Sequence, residues 1–376
     1  MNKLNTPYGD FDLSRYPQRK KETLRAWDAA DEYLLSYLNG NLPTGSKVLI
    51  INDNFGALAI SLNSFNPTVH TDSFLSFQGI LHNFKVNKID INAITLLTSV
   101  QNLNDVYDFV IIKVPKSHAY LEDILFKIKP HINKETTIIA AAMAKNIHSS
   151  TLKLFESIIG ETHTSLAKKK ARLIFSKFTT GKNVNSPYPQ CFDLDTGDLT
   201  LNICNNANVF SREKLDIGTR FFLENFPDCQ QHNTIVDLGC GNGILGIIAA
   251  SQNDSAKIIF TDESYMAIAS AQQNFNQAFS KQRKADFLAT DCLASVKKDS
   301  VDLILCNPPF HQNHTVGDHI AWQMFNEAYK ALRQGGELWI VGNHHLAYHT
   351  KLKKIFSNYK VAASSKKFAV MFSVKK

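Results

Sequence analysis

Short apolar runs, each ending at polar or glycine residues, alternate with amphipathic stretches along the second half of the chain. Continuous apolar runs are typical of strands buried on both faces of a sheet, and the stretches between them have helical periodicity. The predicted strands are residues 234–237, 257–261, 286–291, 301–306 and 337–341, and the predicted helices are residues 244–250, 267–275 and 321–332. This alternation predicts an α/β domain with a mainly parallel, doubly wound sheet.

The first half of the chain repeats this order. A strand at 47–51 leads into an apolar run, and a strand at 108–113 corresponds to residues 302–307. Both halves end in a predicted antiparallel hairpin, with strands at 162–167 and 171–178 in the first half and at 361–363 and 368–374 in the second. Agreement across a whole domain predicts a tandem duplication.

A linker is predicted at residues 179–190, which are rich in Gly, Pro, Asn and Ser. It divides the chain into expected domains of residues 1–185 and 186–376.

The two copies differ at positions that could carry chemistry. Where the second half has Asp237, the first has Ile50, and of the three glycines that follow Asp237 the first half keeps only Gly56. Lys113 replaces Asn307, while the acid Asp72 is matched with Asp262. This pattern predicts one active copy and one that retains the fold alone.

The composition indicates a globular protein. The chain has 376 residues, of which 44% are hydrophobic and 20% charged. We find no apolar run long enough to cross a membrane and no apolar leader, so the expected location is the cytoplasm. The six cysteines form no C-x-x-C pair, and we therefore expect neither a disulfide framework nor a zinc site.

The net charge of +7 is concentrated in the first half. Residues 1–190 contain 22 Lys and Arg against 16 Asp and Glu. A basic module beside a nearly neutral one favours binding to a polyanion such as RNA, although ordinary solubility charge explains the excess equally well.

A glycine-rich turn follows the strand that ends at Asp237. The spacing Gly239-x-Gly241-x-Gly243 lets backbone approach a ligand, but it is not the G-x-G-x-x-G of a pyrophosphate-binding turn. It suits S-adenosylmethionine (SAM), which carries no phosphate. We expect Asp237 to meet the ammonium of SAM or a fixed water, and Asp262 to accept both ribose hydroxyls; a purely structural turn and a helix cap are the alternatives.

The sequence Asn307-Pro308-Pro309-Phe310 follows a buried strand. The side-chain oxygen of Asn307 and the carbonyl of Pro308 can each accept one N–H of an amine conjugated to a base or amide, and thereby aim its lone pair at a methyl donor. The two prolines stiffen the turn, and Phe310 offers a face for stacking on a base. These residues are the predicted catalytic group.

Together these motifs resemble those of the class I SAM-dependent N-methyltransferases. The tandem copy and residues 208–219 and 310–312 look more specifically like the bacterial rRNA guanine-N2 methyltransferases, and residues 26–35 and 51–58 are similar to the large-subunit members of that family. The resemblance implies two tandem class I (Rossmann-like) methyltransferase domains, each with a mainly parallel sheet and a closing antiparallel hairpin. It also implies that a guanine N2 of 23S rRNA is methylated with SAM as cofactor.

By this resemblance the first domain is catalytically silent and binds RNA, and neither a metal nor a membrane is a partner. Residues that would contact SAM are Phe210, Ser211, Thr219, Asp237, Gly239, Cys240, Gly241, Asn242, Gly243, Asp262, Asp291 and Asn307. The amine-aiming turn is equally suited to an adenine N6 or a glutamine amide. A 16S rRNA enzyme of the same family and a SAM- or RNA-binding scaffold without turnover also remain alternatives.

Further polar clusters suggest weaker hypotheses. His311, His314 and His319 follow the catalytic turn, where substrate contact is a better interpretation than metal binding. Lys168, Lys169, Lys170 and Arg172 form a basic cluster in the first predicted hairpin, and a solvated turn and RNA phosphate contact explain it equally well. Cys240 and Cys306 are interpreted as packing residues.

Overall fold

The computed structural model describes residues 2–18, 22–179, 185–197, 199–279, 283–309 and 316–376, with the backbone alone for 316–318. The chain divides into two compact units, Met1–Tyr188 and Pro189–Lys376. Within the described ranges no helix is long and apolar enough to cross a membrane.

The first unit begins with a two-stranded hairpin and continues as a seven-stranded sheet with helices between the strands. Its elements are β1 (Asn2–Thr6), β2 (Gly9–Leu13), α1 (Ala29–Leu38), β3 (Val48–Ile51), α2 (Ala57–Ser61), β4 (Thr68–Thr71), α3 (Phe74–Val86), β5 (Thr95–Thr98), β6 (Phe109–Lys113), α4 (His118–Ile128), β7 (Thr137–Met143), α5 (Ser149–Ile158), β8 (Thr162–Thr164) and β9 (Ala171–Ser176). The strand order in the large sheet is β5-β4-β3-β6-β7-β9-β8.

The second unit has the same organisation. Its elements are β10 (Gln190–Asp195), β11 (Thr200–Asn205), α6 (Ile217–Leu223), β12 (Thr234–Leu238), α7 (Ile244–Gln252), β13 (Lys257–Asp262), α8 (Tyr265–Ala278), β14 (Ala285–Ala289), β15 (Val301–Cys306), α9 (Val316–Ala331), β16 (Leu332–Asn343), α10 (Tyr348–Phe356), β17 (Lys360–Ser364) and β18 (Phe368–Val374). The order in the large sheet is β14-β13-β12-β15-β16-β18-β17.

The predicted fold class is confirmed. In each sheet the first five strands pair in parallel, and the last two join as an antiparallel hairpin. The central strands β3 and β12 are buried along nearly their whole length, because helices cover both faces of the sheet. The carboxyl ends of the parallel strands therefore form one edge in each unit, where the loops that follow can assemble a site.

The cysteines form no framework of several disulfides, but the expectation that they are unpaired is wrong for one pair. Cys191 on β10 lies directly opposite Cys204 on β11, and their sulfur atoms are bonded. The hairpin β10–β11 was not predicted from the sequence, and without its register a separation of 13 residues carries no pairing signal. The remaining cysteines are free.

One buried asparagine in each unit ties the leading hairpin to the loop that follows the first strand of the large sheet. Asn274 on α8 accepts the N–H of Cys204 at 2.8 Å and donates to the carbonyls of Cys204 and Asn242 at 3.0 and 2.9 Å. Its counterpart Asn83 on α3 makes the same three bonds, to both backbone groups of Ser14 and to the Phe55 carbonyl. The duplication therefore includes the leading hairpins.

Strand register corrects one correspondence between the copies. In β4, Thr71 binds the N–H of Ser99 through its carbonyl, and in β13 Asp262 binds the N–H of Thr290 in the same way. The residue at the position of Asp262 is therefore Thr71 and not Asp72, which lies one residue later. The first unit lacks this acid as well.

The first unit fills the position of Asn307 with a buried cation. Lys113 ends β6, and its Nζ lies 2.8 Å from one carboxylate oxygen of Asp28 and 2.8 Å from one of Asp31. Burial alone would lower the pKa of the Lys113 ammonium, but the carboxylates of Asp31 and Asp28 raise it above its usual value, so the side chain stays charged. Asp31 is itself buried, and it occupies the helix position that Thr219 has in the second unit.

A second buried acid occupies the loop of the first unit. Asp53 stands three residues before Gly56, as Cys240 stands three residues before Gly243. Its carboxylate accepts the N–H groups of Gly56, Leu58 and Ala59 at 3.2, 3.0 and 2.9 Å. In this copy, a side-chain carboxylate therefore binds the backbone of the loop and of the first turn of α2.

We predict that Lys113→Met destabilises the chain by about 3–5 kcal/mol, because it leaves the buried carboxylate of Asp31 without its cation. Adding Asp31→Asn should restore more than half of the loss, since the amide keeps a hydrogen-bonding group without a charge. The measurement is urea unfolding of the three proteins.

The control is Lys47→Met, which removes an exposed lysine 2.8 Å from Asp105 and should change the free energy of unfolding far less, because solvent screens an exposed ion pair. A Lys113→Met protein as stable as this control would contradict a buried ion cluster.

Candidate active site

The glycine loop of the second unit connects β12 with α7. Gly239, Gly241 and Gly243 have φ angles of 69°, 54° and 83°, which a residue with a side chain adopts only under strain. A Cβ on Gly243 would lie 2.9 Å from the Cβ of Ala271, so the loop packs tightly on α8 there. A Cβ on Gly241 would meet nothing within 4 Å, so a ligand can approach the backbone at that residue.

Asp237 lies beneath this loop and is almost fully buried. One of its carboxylate oxygens accepts the N–H of Gly246, in the first turn of α7, at 2.9 Å. Burial raises the pKa of its carboxyl to about 8, and the nearby Asp262 carboxylate adds to the rise. Asp237 therefore fixes the start of α7 against β12.

Asp262 ends β13 and joins it to the glycine loop. One carboxylate oxygen accepts the N–H of Gly241 at 3.0 Å, and the other accepts the N–H of Ser264 at 3.0 Å. The alternative of a helix cap does not apply to this residue, because the side chain that caps α8 is that of Ser264. The carboxylate and the exposed backbone of Gly241 thus lie side by side.

Asn307 follows β15, the other neighbour of β12. Its Nδ2 donates to Oγ1 of Thr219 at 2.9 Å, and Thr219 is held by a bond from its own N–H to the carboxylate of Asp216, the N-cap of α6. Oδ1 of Asn307 is buried and has no hydrogen-bond partner among the residues that the structure describes. A buried acceptor without a partner is costly, and here Thr219 fixes its direction.

The structure therefore brings three of the predicted elements together at one edge of the sheet. The glycine loop, Asp262 and Asn307 follow or end three adjacent parallel strands. Phe310 lies outside the described residues, as do His311 and His314. Pro308 is buried and Pro309 partly exposed, and His319 is exposed at the start of α9.

Other predicted cofactor residues have partners of their own. Asp291, beyond the end of β14, accepts a bond from Nε2 of Gln323 at 2.9 Å, and Gln323 also donates to Glu327. Neither Gln323 nor Glu327 was recognised from the sequence, although their spacing of four residues places them on one face of α9. Asn242 accepts the N–H of Ile244 through its side chain at 3.3 Å.

Two residues of the segment before α6, Phe210 and Ser211, are also predicted to contact the cofactor. Phe210 is 65% exposed, and the Ser211 hydroxyl donates to the Lys214 carbonyl at 2.8 Å. Cys240 and Cys306 are buried, and burial raises both thiol pKa values, as expected for packing residues. No group of three or more His, Cys, Asp and Glu side chains in the described part of the chain is arranged to hold a metal ion.

The raised pKa of Asp237 predicts a pH-dependent stability. The folded protein holds this proton more tightly than the unfolded chain, in which the pKa is near 3.8. The stabilisation is fully present below about pH 4 and is lost as the pH rises to about 8. Asp237→Asn does not titrate, so the stability of the wild type relative to this variant should fall across that window in urea unfolding.

Asp254→Asn is the control, because the Asp254 side chain is 96% exposed and the substitution should leave the pH profile unchanged. If the free energies of unfolding of wild type and Asp237→Asn changed in parallel with pH, the buried carboxyl of Asp237 would not retain its proton.

Comparison with known proteins is consistent with this arrangement. Residues 1–180 match the family described as the RLMG N-terminal domain, and residues 200–372 match the methyltransferase small domain. The T. thermophilus 16S rRNA N2 G1207 methyltransferase (RsmC), solved in complex with AdoMet and guanosine, superposes with a TM-score of 0.79 over 100% of this chain and 98% of its own. At 19% identity this likeness shows the fold.

Two curated relatives are similar from end to end. Ribosomal RNA large subunit methyltransferase G of Streptomyces griseus is 45% identical, with 100% of both chains covered. The protein of the same name from Pseudoalteromonas translucida is 45% identical over 97% of this chain and 96% of its own. The resemblance inferred from the motifs is thereby confirmed, and the chain belongs to the family of the ribosomal RNA large subunit methyltransferase G proteins.

Proposed function

We propose that this protein transfers the methyl group of SAM to the exocyclic N2 of a guanine in 23S rRNA. The observation that carries the proposal is the buried Oδ1 of Asn307, which Thr219 orients and which has no partner among the described residues. It lies beside a glycine loop with an approachable backbone. Membership in a family of large-subunit rRNA methyltransferases supports the reaction and the substrate class.

The residues present fit SAM as the cofactor. The open backbone at Gly241 gives room for a ligand, and the carboxylate of Asp262 beside it is suited to accept ribose hydroxyls. Gly239, Cys240, Asn242 and Gly243 complete the loop. When bound, SAM supplies a methyl group on a positively charged sulfur, so the amine that attacks it needs no strong base.

Three further cofactor contacts are carried over from the family. Phe210 and Ser211 would contact SAM from the segment before α6, and Asp291 would contact the adenine. Asp237 would act from below the loop on the ammonium, directly or through water. Thr219 has a second task, because its hydroxyl holds the Asn307 amide in place.

The turn after β15 would align the target amine. Its two N–H groups would bond to Oδ1 of Asn307 and to the carbonyl of Pro308, and these bonds favour a pyramidal nitrogen whose lone pair points at the methyl group. Pro308 and Pro309 keep both acceptors fixed. Phe310 would stack on the base, which has to be unpaired or flipped out of a helix to reach the turn.

The domain assignment follows from the contrast between the copies. Residues 186–376 would carry the reaction, and residues 1–185 would bind RNA without SAM. The buried pair of Lys113 and Asp31, which stands where the second unit has Asn307 and Thr219, supports a first domain without the proposed activity. A substrate made and assembled into ribosomes in the cytoplasm makes that compartment the proposed location.

The proposal predicts transfer of label from tritiated SAM to unmodified 23S rRNA, recovered as N2-methylguanosine after digestion to nucleosides. The full-length protein is incubated in parallel with protein-free 23S and 16S rRNA. Label in 16S rRNA alone would mean that 16S rRNA is the substrate instead. Label recovered as N6-methyladenosine would mean that the target base is adenine. Assembled subunits serve as further substrates, and no transfer to any of them would favour a scaffold without turnover.

We predict that Asn307→Ala keeps its affinity for SAM but loses turnover by about two orders of magnitude or more, because it removes an interaction made chiefly with the reacting amine. Thr219→Val should lower kcat by about tenfold or more, since Oγ1 no longer holds Nδ2 of Asn307, and Thr219→Ser should restore most of it. Calorimetry with SAM and single-turnover transfer to 23S rRNA separate binding from chemistry.

Retention of most of the turnover in Asn307→Ala would refute the mechanism. If Thr219→Ser, which keeps the hydroxyl, were as slow as Thr219→Val, the hydrogen bond from Asn307 to that hydroxyl would not be the reason for the loss.

A further inference from the structure

The closing hairpins of the two units carry lysines at the same place. In the first unit, Met143 of β7 pairs with Ala171, so the turn of residues 168–170 lies just beyond the end of β7. In the second, Asn343 of β16 pairs with Phe368, so residues 365–367 lie just beyond the end of β16. By this register, Lys366 and Lys367 in the second hairpin correspond to Lys169 and Lys170 in the first.

In the second unit this turn lies at the edge that holds the active site. β16 is the neighbour of β15, and Ile340 pairs with Cys306, the residue before Asn307. The start of α6, which carries Thr219, packs against the same place, since a Cβ on Gly218 would lie 3.2 Å from the ring of Phe368. The turn, the start of α6 and Asn307 are therefore neighbours.

One charge beside the turn, on the neighbouring helix, is reversed between the copies. In the first unit, Nζ of Lys169 lies 2.9 Å from the carboxylate of Glu32 on α1. Glu32 stands four residues after the helix cap Asp28, and Arg220 stands four residues after the helix cap Asp216 in the second unit. In the second unit, the guanidinium of Arg220 therefore stands at the position where the first unit has the Glu32 carboxylate that pairs with Lys169.

The cations of the second unit are exposed and held on ordered backbone. Arg220, Lys366 and Lys367 are all exposed, and within the described residues no carboxylate lies within 4.0 Å of their charged groups. The hydroxyl of Ser365 accepts the N–H groups of Lys367 and Phe368 at 3.4 and 3.0 Å, which fixes the turn. Three exposed positive charges without a carboxylate partner among the described residues therefore lie on the elements next to Asn307, and Nζ of Lys367 lies 5.3 Å from the centroid of the Phe368 ring.

We propose that Arg220, Lys366 and Lys367 bind the phosphates of the rRNA strand that flank the target nucleotide. This inference rests on the proposed function, and it adds an RNA-binding surface on the catalytic unit to the one proposed for the first domain. Phosphate contacts fix the position of a nucleic acid without reading its sequence. Here they hold the strand while the turn after β15 receives the base.

The test compares full-length wild type with the variant Arg220→Gln/Lys366→Gln/Lys367→Gln. Binding to a 23S rRNA transcript is measured over a series of KCl concentrations, and methyl transfer is measured as a function of RNA concentration. Each lost phosphate contact lowers the slope of log affinity against log salt by about 0.7, so the slope should fall by about 2. The KM for RNA should rise about tenfold or more, while kcat at saturating RNA and the affinity for SAM stay unchanged.

The matched control is Lys284→Gln/Lys297→Gln/Lys298→Gln. These three exposed lysines precede β14 and β15, so they lie at the opposite edge of the same sheet, and the substitutions remove the same charge. The control should keep most of the salt slope and the KM of the wild type. Thermal unfolding checks that both variants are folded.

A slope and KM equal to those of the control would overturn the proposed surface while leaving the proposed function intact. Failure of the wild type to methylate rRNA would refute the proposed function instead, and the comparison of salt slopes would still decide whether this surface binds RNA.

Discussion

The arrangement of the active site depends on one buried amide in the core of the second unit. Asn274 bonds to both backbone groups of Cys204 in the leading hairpin and to the carbonyl of Asn242 in the glycine loop. Three segments far apart in sequence are thereby held at fixed distances. The first unit keeps the equivalent bonds of Asn83 although its loop has lost two of the three glycines, so this interaction serves the fold as well as the site.

The second unit adds the polar side chains of the candidate active site to this common framework. Asp237 and Asp262 bind backbone N–H groups of α7 and of the glycine loop, so they shape the loop before any ligand is considered. Thr219 orients Asn307 from the opposite side. At the positions of Asp237, Asp262 and Asn307 the first unit has Ile50, Thr71 and Lys113, so it keeps the framework without these three side chains.

The sequence allowed the central strands, the glycine turn, the turn after β15 and the repeated order of elements to be predicted, because each depends on a local pattern. It did not reveal the leading hairpins, because their first strands, β1 and β10, are short, consist mostly of exposed and partly buried residues, and lack a continuous apolar run. The disulfide was missed for the same reason. The bond between Thr219 and Asn307 joins residues 88 positions apart, and only the assembled sheet brings them together.

The buried ion cluster of the first unit restricts how that unit can evolve. A single change of Lys113 towards Asn would leave the carboxylate of Asp31 buried without a cation, and a single change of Asp31 would leave the ammonium in the same state. Asp53 adds a further charge in the loop. A substitution of Lys113 or Asp31 alone is therefore expected to destabilise the fold, so the two residues are coupled and are expected to change together or not at all.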